Sequence, residues 1–327
     1  MRLQIVLAVL LLLASPWPPA AFAHQSSGPA TIQNQAEALL LTEIAKVRQK
    51  AEQGDAQAQY TLGHDYLVGA GVPQDQKQGV KWYAAAAAQG LAQAQFALGY
   101  LYEQGEAVGK DYHQAATYYR AAAEQVHATA ENNLASLYQH GRGVPKNLDQ
   151  AIYWYRRSAQ HGDPTGQCNL ASLYFTGEGI PKDDEAAARW FGAAAEQGLP
   201  AAQTNLAFMY YQGRGVPLDY AQAAVWTRRA AEQGHAQAQT DLGYLYEQGK
   251  GVPLDYVTAY AWYSRATEAG DDRAASKMKS ISRVMTRAQL TAAIVRAAGL
   301  PGARKSPQEP GANPAALRPQ LGLLGDR

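Results

Sequence analysis

Residues 236–271 read AQAQTDLGYLYEQGKGVPLDYVTAYAWYSRATEAGD. One step of 36 residues back, residues 200–235 read PAAQTNLAFMYYQGRGVPLDYAQAAVWTRRAAEQGH, and the same step repeats as far as Ala56. A fixed period of this size marks a repeat architecture, in which each unit buries its apolar face against its neighbours. Within the unit, Ala238, Leu242, Gly243 and Tyr246 recur at helix-face spacing, and Ala259, Trp262, Tyr263 and Ala266 do so again. Between the two runs, Gly249 suits the left-handed residue that ends a helix. Pro253 cannot continue one, and Asp255 is placed to cap the next. Gly270 closes the second run. Each unit is therefore predicted to be helix, tight loop, helix, turn. Helices of about a dozen residues are marginal alone in water, so stability must come from stacking.

Six such units run without insertion over 56–91, 92–127, 128–163, 164–199, 200–235 and 236–271. Leu62, Leu98, Leu134, Leu170, Leu206 and Leu242 share one position. Tyr66, Tyr102, Tyr138, Tyr174, Tyr210 and Tyr246 share another. Gly69, Gly105, Gly141, Gly177, Gly213 and Gly249 open the loops. Trp82, Trp154, Trp190, Trp226 and Trp262 anchor the second helix, with Tyr118 standing in once. The second unit departs from the rest. Its loop, Gly105 to Asp111, lacks the second Gly and the Pro, and Val126 stands where the other closing turns have Gly. A β-branched residue resists the left-handed conformation. A differently built junction there, with a local change in superhelical twist, is the expectation.

Length alone, 327 residues, suggests two domains, whereas the repeat argues for one elongated solenoid. The ends frame the array. Arg2, the apolar run 5–14 and Ala21-Phe22-Ala23 read as a secretory signal, residues 1–23, cut after Ala23; the apolar run is too short to span a bilayer. Periplasmic or secreted localisation follows as an expectation, with no stable membrane span after cleavage. Residues 24–35 read as a flexible lead-in. Residues 36–55 read as a capping half-unit, with Leu39, Leu40, Ile44, Val47 and Ala51 on one side. After Asp271 the pattern weakens into two capping helices within 272–300, the second opened by a capping box at Thr286-Arg287-Ala288-Gln289. Residues 301–327, rich in Pro and Gly, are expected to be disordered.

The pattern A-x-x-x-L-G-x-x-Y, then G-x-G-V-P-x-D, then A-x-x-W-Y resembles the Sel1-like repeat, a 36-residue relative of the tetratricopeptide repeat. It stands here as Ala238…Leu242-Gly243…Tyr246, Gly249…Gly251-Val252-Pro253…Asp255 and Ala259…Trp262-Tyr263, and the resemblance covers 56–271. It implies an all-α fold, a right-handed α-solenoid serving as a scaffold or adaptor for other proteins. Secreted bacterial members are similar in serving envelope processes and host contact. The paired cysteines of one branch linked to penicillin binding are absent, so that activity is not carried over. The single Cys168 also excludes an internal disulfide.

In such a solenoid the first helices line the concave side. None of the six first-helix segments contains Lys or Arg. A clamp for a C-terminal carboxylate is thus unsupported, and so is a nucleic acid partner, whose phosphates are met mainly by Lys and Arg. The net charge of +1 gives no further pull toward nucleic acid. The basic residues Arg120, Arg156, Arg157, Arg228, Arg229 and Arg265 are expected on solvated outer faces, with pairing to residues such as Glu124 and Glu232. Tetratricopeptide geometry puts Tyr60, His64, Phe96, Tyr100, Asn132, Ser136, Ser172, Phe175, Thr204, Phe208, Tyr211, Thr240, Tyr244 and Glu247 in the groove. Aromatics and amides suit a peptide, burying its apolar side chains and pairing with its backbone. Asn133, Asn169 and Asn205 share one position and fit a ladder between helices.

Chemistry finds little footing. The seven histidines show no metal-ligand spacing, and His24 at a processed terminus lacks a defined second ligand. The GEG and GRG loops follow helices and carry no G-K-[ST], so they are not phosphate loops. No catalytic residue, metal or cofactor is expected. The reading is an exported, non-catalytic scaffold whose partner, another envelope or secreted protein, lies in the groove as a peptide or helix. The alternatives are an enzyme acting on peptidoglycan, which would draw on Glu103, Asp241 or Glu247, or a regulator of such an enzyme, or a secreted host-interaction factor.

Overall fold

The structure, a computed structural model, describes residues 29–301, the first eleven of them as backbone only, and Leu323. The stretch 1–23 read as a signal, the start of the lead-in and most of the tail lie outside the described residues. The fold is an all-α solenoid of helix–loop–helix units, with fifteen helices and no strand among the described residues. They are α1 (Pro29–Glu52), α2 (Ala56–Val68), α3 (Gln76–Ala88), α4 (Ala92–Gln104), α5 (Tyr112–Glu124), α6 (Ala128–His140), α7 (Leu148–Gln160) and α8 (Pro164–Thr176). Then follow α9 (Asp184–Glu196), α10 (Pro200–Gln212), α11 (Tyr220–Glu232), α12 (Ala236–Gln248), α13 (Tyr256–Glu268), α14 (Asp272–Ser282) and α15 (Arg287–Ala298). The first helix begins at Pro29, inside the stretch read as a flexible lead-in.

The repeat sequence dictates these elements through their ends. Gly69, Gly105, Gly141, Gly177, Gly213 and Gly249 all take left-handed φ between 63° and 77° and close the first helices. Asp75, Asp111, Asn147, Asp183, Asp219 and Asp255 cap the second helices, each side chain accepting a backbone N–H of the first turn. The same six residues donate their own N–H to the carbonyl of the shared tyrosine, Tyr66 through Tyr246, at 2.9–3.0 Å. One residue thus ties the loop back to the first helix and starts the second. Removing such a cap costs about 1 kcal/mol.

The second loop glycine has a different role. A Cβ on Gly143, Gly215 or Gly251 would fall 1.9–2.2 Å from the carbonyl oxygen of Tyr112, Asp184 or Tyr220 at the start of the preceding second helix. These three loops therefore pack directly on the previous unit's backbone, where only glycine fits.

The chain divides into two units. The first runs to Leu101 and includes Gly105–Gly109; the second comprises Tyr102–Gln104 and the chain from Lys110 onward. In the first, α1 packs on α2 and α2 on α3. Ala51, Ala58 and Leu62 form its buried centre, with Val47, Tyr66 and Trp82 around them. In the second, successive helices from α5 to α13 pack pairwise, and α13 is flanked by both α14 and α15. The shared leucines are at most 4% exposed. Tyr119, Tyr155, Phe191 and Tyr263 are the largest fully buried second-helix side chains. The capping box at Thr286 and Gln289 forms as its spacing predicts.

The junction at Val126 corrects the sequence expectation. Val126 takes φ +66°, the left-handed turn that glycine makes at Gly90, Gly162, Gly198, Gly234 and Gly270. Its N–H bonds to Ala123 and that of His127 to Ala122, the scheme seen at Gly90 and Leu91. Ala107 likewise takes φ +62° where other loops have their second glycine. The packing imposes the turn, and the side chain bears the strain; Val126 is exposed, so no clash adds to it. Left-handed backbone at a residue with a Cβ costs roughly 1–2 kcal/mol, while glycine loosens the unfolded chain by less. Val126→Gly should therefore stabilise the protein by about 0.5–1 kcal/mol, seen as a higher urea midpoint with unchanged slope; a lower midpoint would show the turn to be unstrained.

His127 caps α6, its Nδ1 accepting the Ala130 N–H at 3.2 Å. Burial, the larger influence, pushes the imidazole below its usual 6.5. Its contribution is therefore present above the unfolded value and is lost as pH falls through the folded one. Thermal stability should decline from pH 7 to 5, and His127→Asp, the cap found at Asp55 and Asp163, should flatten that decline. Equal slopes for the two proteins would rule this out.

Candidate functional site

The predicted groove residues fall on three positions of the first helix, the fifth, ninth and twelfth. Five of them present almost no surface: Asn132, Ser136, Ser172, Thr204 and Thr240 are 0–7% exposed. Their polar atoms serve the scaffold. Thr240 donates to Asp271 at 2.8 Å, Ser172 to the Cys168 carbonyl at 3.0 Å and Thr204 to the Pro200 carbonyl at 3.0 Å. Asn132 accepts from Asn169 at 2.9 Å and donates to Asn133 at 3.1 Å. The expected ladder of Asn133, Asn169 and Asn205 is thus rerouted through Asn132, and Asn205 instead points at the Cys168 sulfur, 3.9 Å away. Cys168 is buried, which pushes its thiol up to about 12 and leaves it a small apolar side chain. In the first unit Tyr60 stacks on Tyr83, His64 is exposed 3.8 Å from Asp65, and Phe96 and Tyr100 are half-buried.

The twelfth position pairs with a residue of the following second helix. Tyr119 donates its hydroxyl to Glu103 at 2.7 Å, Tyr155 to Gln139 at 2.9 Å and Tyr263 to Glu247 at 2.6 Å. Where the partner is Phe191 or Thr227, the twelfth residue is aromatic, Phe175 or Tyr211. Glu247 is consequently a scaffold acceptor, with Lys277 3.7 Å away, and not an open groove residue. Asp241 is 1% exposed and Glu103 3% exposed; neither offers the open carboxylate that hydrolytic chemistry on a polymer needs.

The aromatic exceptions form a row in the last three repeats. Phe175 meets Phe208 edge-on, with ring centroids 6.1 Å apart. Tyr211 lies 6.4 Å from Tyr244, with their hydroxyls 3.5 Å apart, and 5.1 Å from Tyr220. Three cations attend the row. The Arg214 guanidinium sits 3.8 Å over Phe175 while pairing with both oxygens of Asp184 at 2.7 and 3.1 Å. Lys250 lies over Tyr211 and Tyr220 and donates to the Tyr211 hydroxyl at 2.6 Å. Lys277 lies 5.2 Å over Tyr244. Such contacts contribute about 0.5–1 kcal/mol each where exposed. The Tyr244 hydroxyl is pushed above its usual range, first by its bond to Tyr211 and then by burial, and so stays protonated.

These cations correct the expectation of a groove without basic groups. The first helices do lack Lys and Arg, but the loop position after the helix-closing glycine holds Arg142, Arg214 and Lys250, and it reaches back onto the preceding repeat. That column was visible in the sequence; the direction of its side chains was not. The outer arginines also behave differently from expectation. Arg120 and Arg228 donate to the shared tyrosine hydroxyls of the next repeat, Tyr138 and Tyr246, at 2.7 and 2.8 Å, instead of pairing with Glu124 and Glu232. Two open depressions of about 610 and 400 Å³ gather around Asp184 and Trp226 and share no residue with the aromatic row. Among the described residues no group of three His, Cys, Asp or Glu could hold a metal, and no helix is long and apolar enough to cross a membrane.

The Sel1 repeat family model matches six times in succession, over 56–91, 92–127, 128–163, 164–199, 200–235 and 236–271, the boundaries read from the sequence. Among solved structures, the chain is similar to c5321, a protective antigen present in uropathogenic Escherichia coli strains displaying an SLR fold. The identity is 32% and the TM-score 0.70, over 78% of this chain and 56% of that one. A Sel1 repeat protein from Oxalobacter formigenes is 33% identical with a TM-score of 0.61, over 70% of this chain and 96% of that one. The chain thus spans little more than half the length of the first of these. None of the curated proteins matches it.

The pairing of twelfth position and tyrosine makes a specific forecast. Glu247→Gln should leave stability almost unchanged, because Gln139 already fills this role for Tyr155. Glu247→Leu should cost about 1–3 kcal/mol in urea unfolding by stranding the buried Tyr263 hydroxyl. Equal effects of the two substitutions would show the hydroxyl bond to be unimportant.

Proposed function

As the chain belongs to the Sel1 repeat family, whose members generally mediate protein–protein interactions, we propose that it is an exported adaptor. In this reading its partner-binding surface is the aromatic row of the last three repeats. Export rests on the signal-like segment at Arg2–Ala23, and an envelope protein is the partner that this address suggests. The observation that carries the reading is the row itself: Phe175, Phe208 and Tyr244 remain half-exposed on first helices whose other polar groups are consumed by the scaffold. Rigid aromatic faces lose little entropy on binding and dominate protein interfaces. Arg214, Lys250 and Lys277 along one side favour a segment that carries acidic or carbonyl groups beside its apolar ones. Catalysis has no part in this reading, since the nearby carboxylates are engaged by tyrosine hydroxyls or enclosed by the repeats.

A second reading places the same binding surface outside the cell, as a secreted factor that meets a host. The description of the similar E. coli protein as a protective antigen motivates it.

Full-length protein immobilised on beads should capture a defined set of envelope proteins. Phe208→Ala with Tyr244→Ala should reduce that capture by roughly thirtyfold, the loss expected for two central aromatic contacts, without altering the circular dichroism spectrum. Equal capture by the native and altered proteins would remove the row from the interface. Fractionation of the producing cell, with the protein found in the periplasm or the medium, decides between the two addresses.

A further inference from the structure

The array ends in an incomplete version of its own internal bond. In earlier repeats the buried glutamine at the fourth position of the first helix accepts from the residue that follows its own second helix. Gln89 donates to Gln59 at 2.8 Å, Gln197 to Gln167 at 2.9 Å and Gln233 to Gln203 at 2.9 Å. In the last repeat Ala269 stands at the donor position, and the Oε1 of fully buried Gln239 has no partner. The Nε2 of Gln239 still donates to the Ala231 carbonyl, and it also donates to the carbonyl of Pro301 at 3.1 Å. Two positions along the same helix, Asp241 accepts the backbone N–H of Leu323 at 3.1 Å. Leu323 is 8% exposed and belongs to the buried cluster of Tyr211, Leu242, Leu245 and Trp262, which Phe208 and Tyr244 border.

We propose that Leu323 is a tethered ligand: it occupies a leucine seat on α12, beside the aromatic row, and competes there with the leucine of an external peptide. The proposal rests on the reading of that row as a binding surface. Two features of the seat recognise peptide chemistry. The carboxylate of Asp241 takes a main-chain N–H, the contact that any extended segment offers. The surrounding apolar side chains take a leucine. The position of Asp241 holds Asn133, Asn169 and Asn205 in the three preceding repeats, so only the last repeat presents a carboxylate there. Attachment to the same chain gives Leu323 an effective concentration on the order of millimolar, enough to hold off weak ligands and yield to strong ones. The partner class is therefore a leucine-bearing peptide segment.

The test uses full-length protein and a fluorescein-labelled synthetic peptide of residues 318–327, RPQLGLLGDR, followed by anisotropy. Leu323→Asp in the protein empties the seat. The peptide should bind this variant roughly tenfold or more tightly than it binds the native protein. A peptide N-methylated at the leucine equivalent to Leu323 lacks the donor and should lose roughly tenfold in affinity for the variant, and the protein itself is left unchanged. Equal affinity for variant and native protein overturns the proposal. So does binding to neither, or indifference to N-methylation. Failure here while Phe208→Ala with Tyr244→Ala still abolishes partner capture removes the tethered ligand and leaves the groove reading standing. The reverse pattern removes the groove reading alone.

Discussion

A buried glutamine relay holds the repeats in register. From the fourth position of five of the six first helices, Gln59, Gln95, Gln167, Gln203 and Gln239 donate to a carbonyl near the end of the preceding helix, at 3.1–3.3 Å. Three of them accept in turn from the glutamine after their own second helix. One side chain therefore joins three helices across two repeats. A buried amide has to be satisfied, or it costs the desolvation of its polar atoms, about 1–3 kcal/mol. That cost makes the relay selective, since a slipped or rotated repeat would strand the amide. The third repeat shows the same constraint met with charge. Glu131 is fully buried and sits between His161 at 2.7 Å and Arg157 at 3.0 Å, so both ends of the bond have changed together.

Once the relay and the capped loops fix each helix pair, local sequence has little freedom to change the backbone. Val126 and Ala107 demonstrate it. Both adopt the left-handed conformation that their residue type disfavours, because the hydrogen bonds on either side leave no other path. Second-loop glycines differ in kind: at Gly143, Gly215 and Gly251 the obstacle is a neighbouring carbonyl, and no strain tolerance would make room for a Cβ.

This separates what was legible in the sequence from what was not. The period, the helix ends, the capping residues and the leucine core follow from spacing alone, because they are set by contacts within one unit or between identical columns. The groove was legible only as a stripe. Thr204, Thr240, Ser172 and Asn132 lie on the expected positions but are enclosed by the next repeat, and how closely two first helices approach is not written in either one. Glu247 was misjudged because its partner, Tyr263, lies 16 residues away on another helix. Reading the twelfth position together with the tyrosine column would have found it: Glu103 with Tyr119, Gln139 with Tyr155 and Glu247 with Tyr263, against Phe175 with Phe191. Arg214, Lys250 and Lys277 were missed because long side chains cross from loop or cap onto a neighbour's ring, and spacing records only where they start.

The pairing rule also explains why an aromatic row exists where it does. In the first repeat Leu67 stands opposite Tyr83, but where Tyr119, Tyr155 and Tyr263 stand on the second helix, the first helix spends its twelfth position on an acceptor, Glu103, Gln139 or Glu247. Phe191 makes no such demand, and Thr227 satisfies itself on the Ala223 carbonyl at 2.8 Å. The twelfth positions of those two repeats are thereby released to Phe175 and Tyr211, and these meet Phe208 and Tyr244 of the following helices. Removing one internal hydrogen bond per repeat replaces a polar scaffold pair with an aromatic contact, in which Tyr211 is buried and Phe175, Phe208 and Tyr244 stay half-buried. The surface most suited to binding thus arises from a relaxation of the scaffold's own requirements, next to the end of the array, where the relay also lacks its last donor.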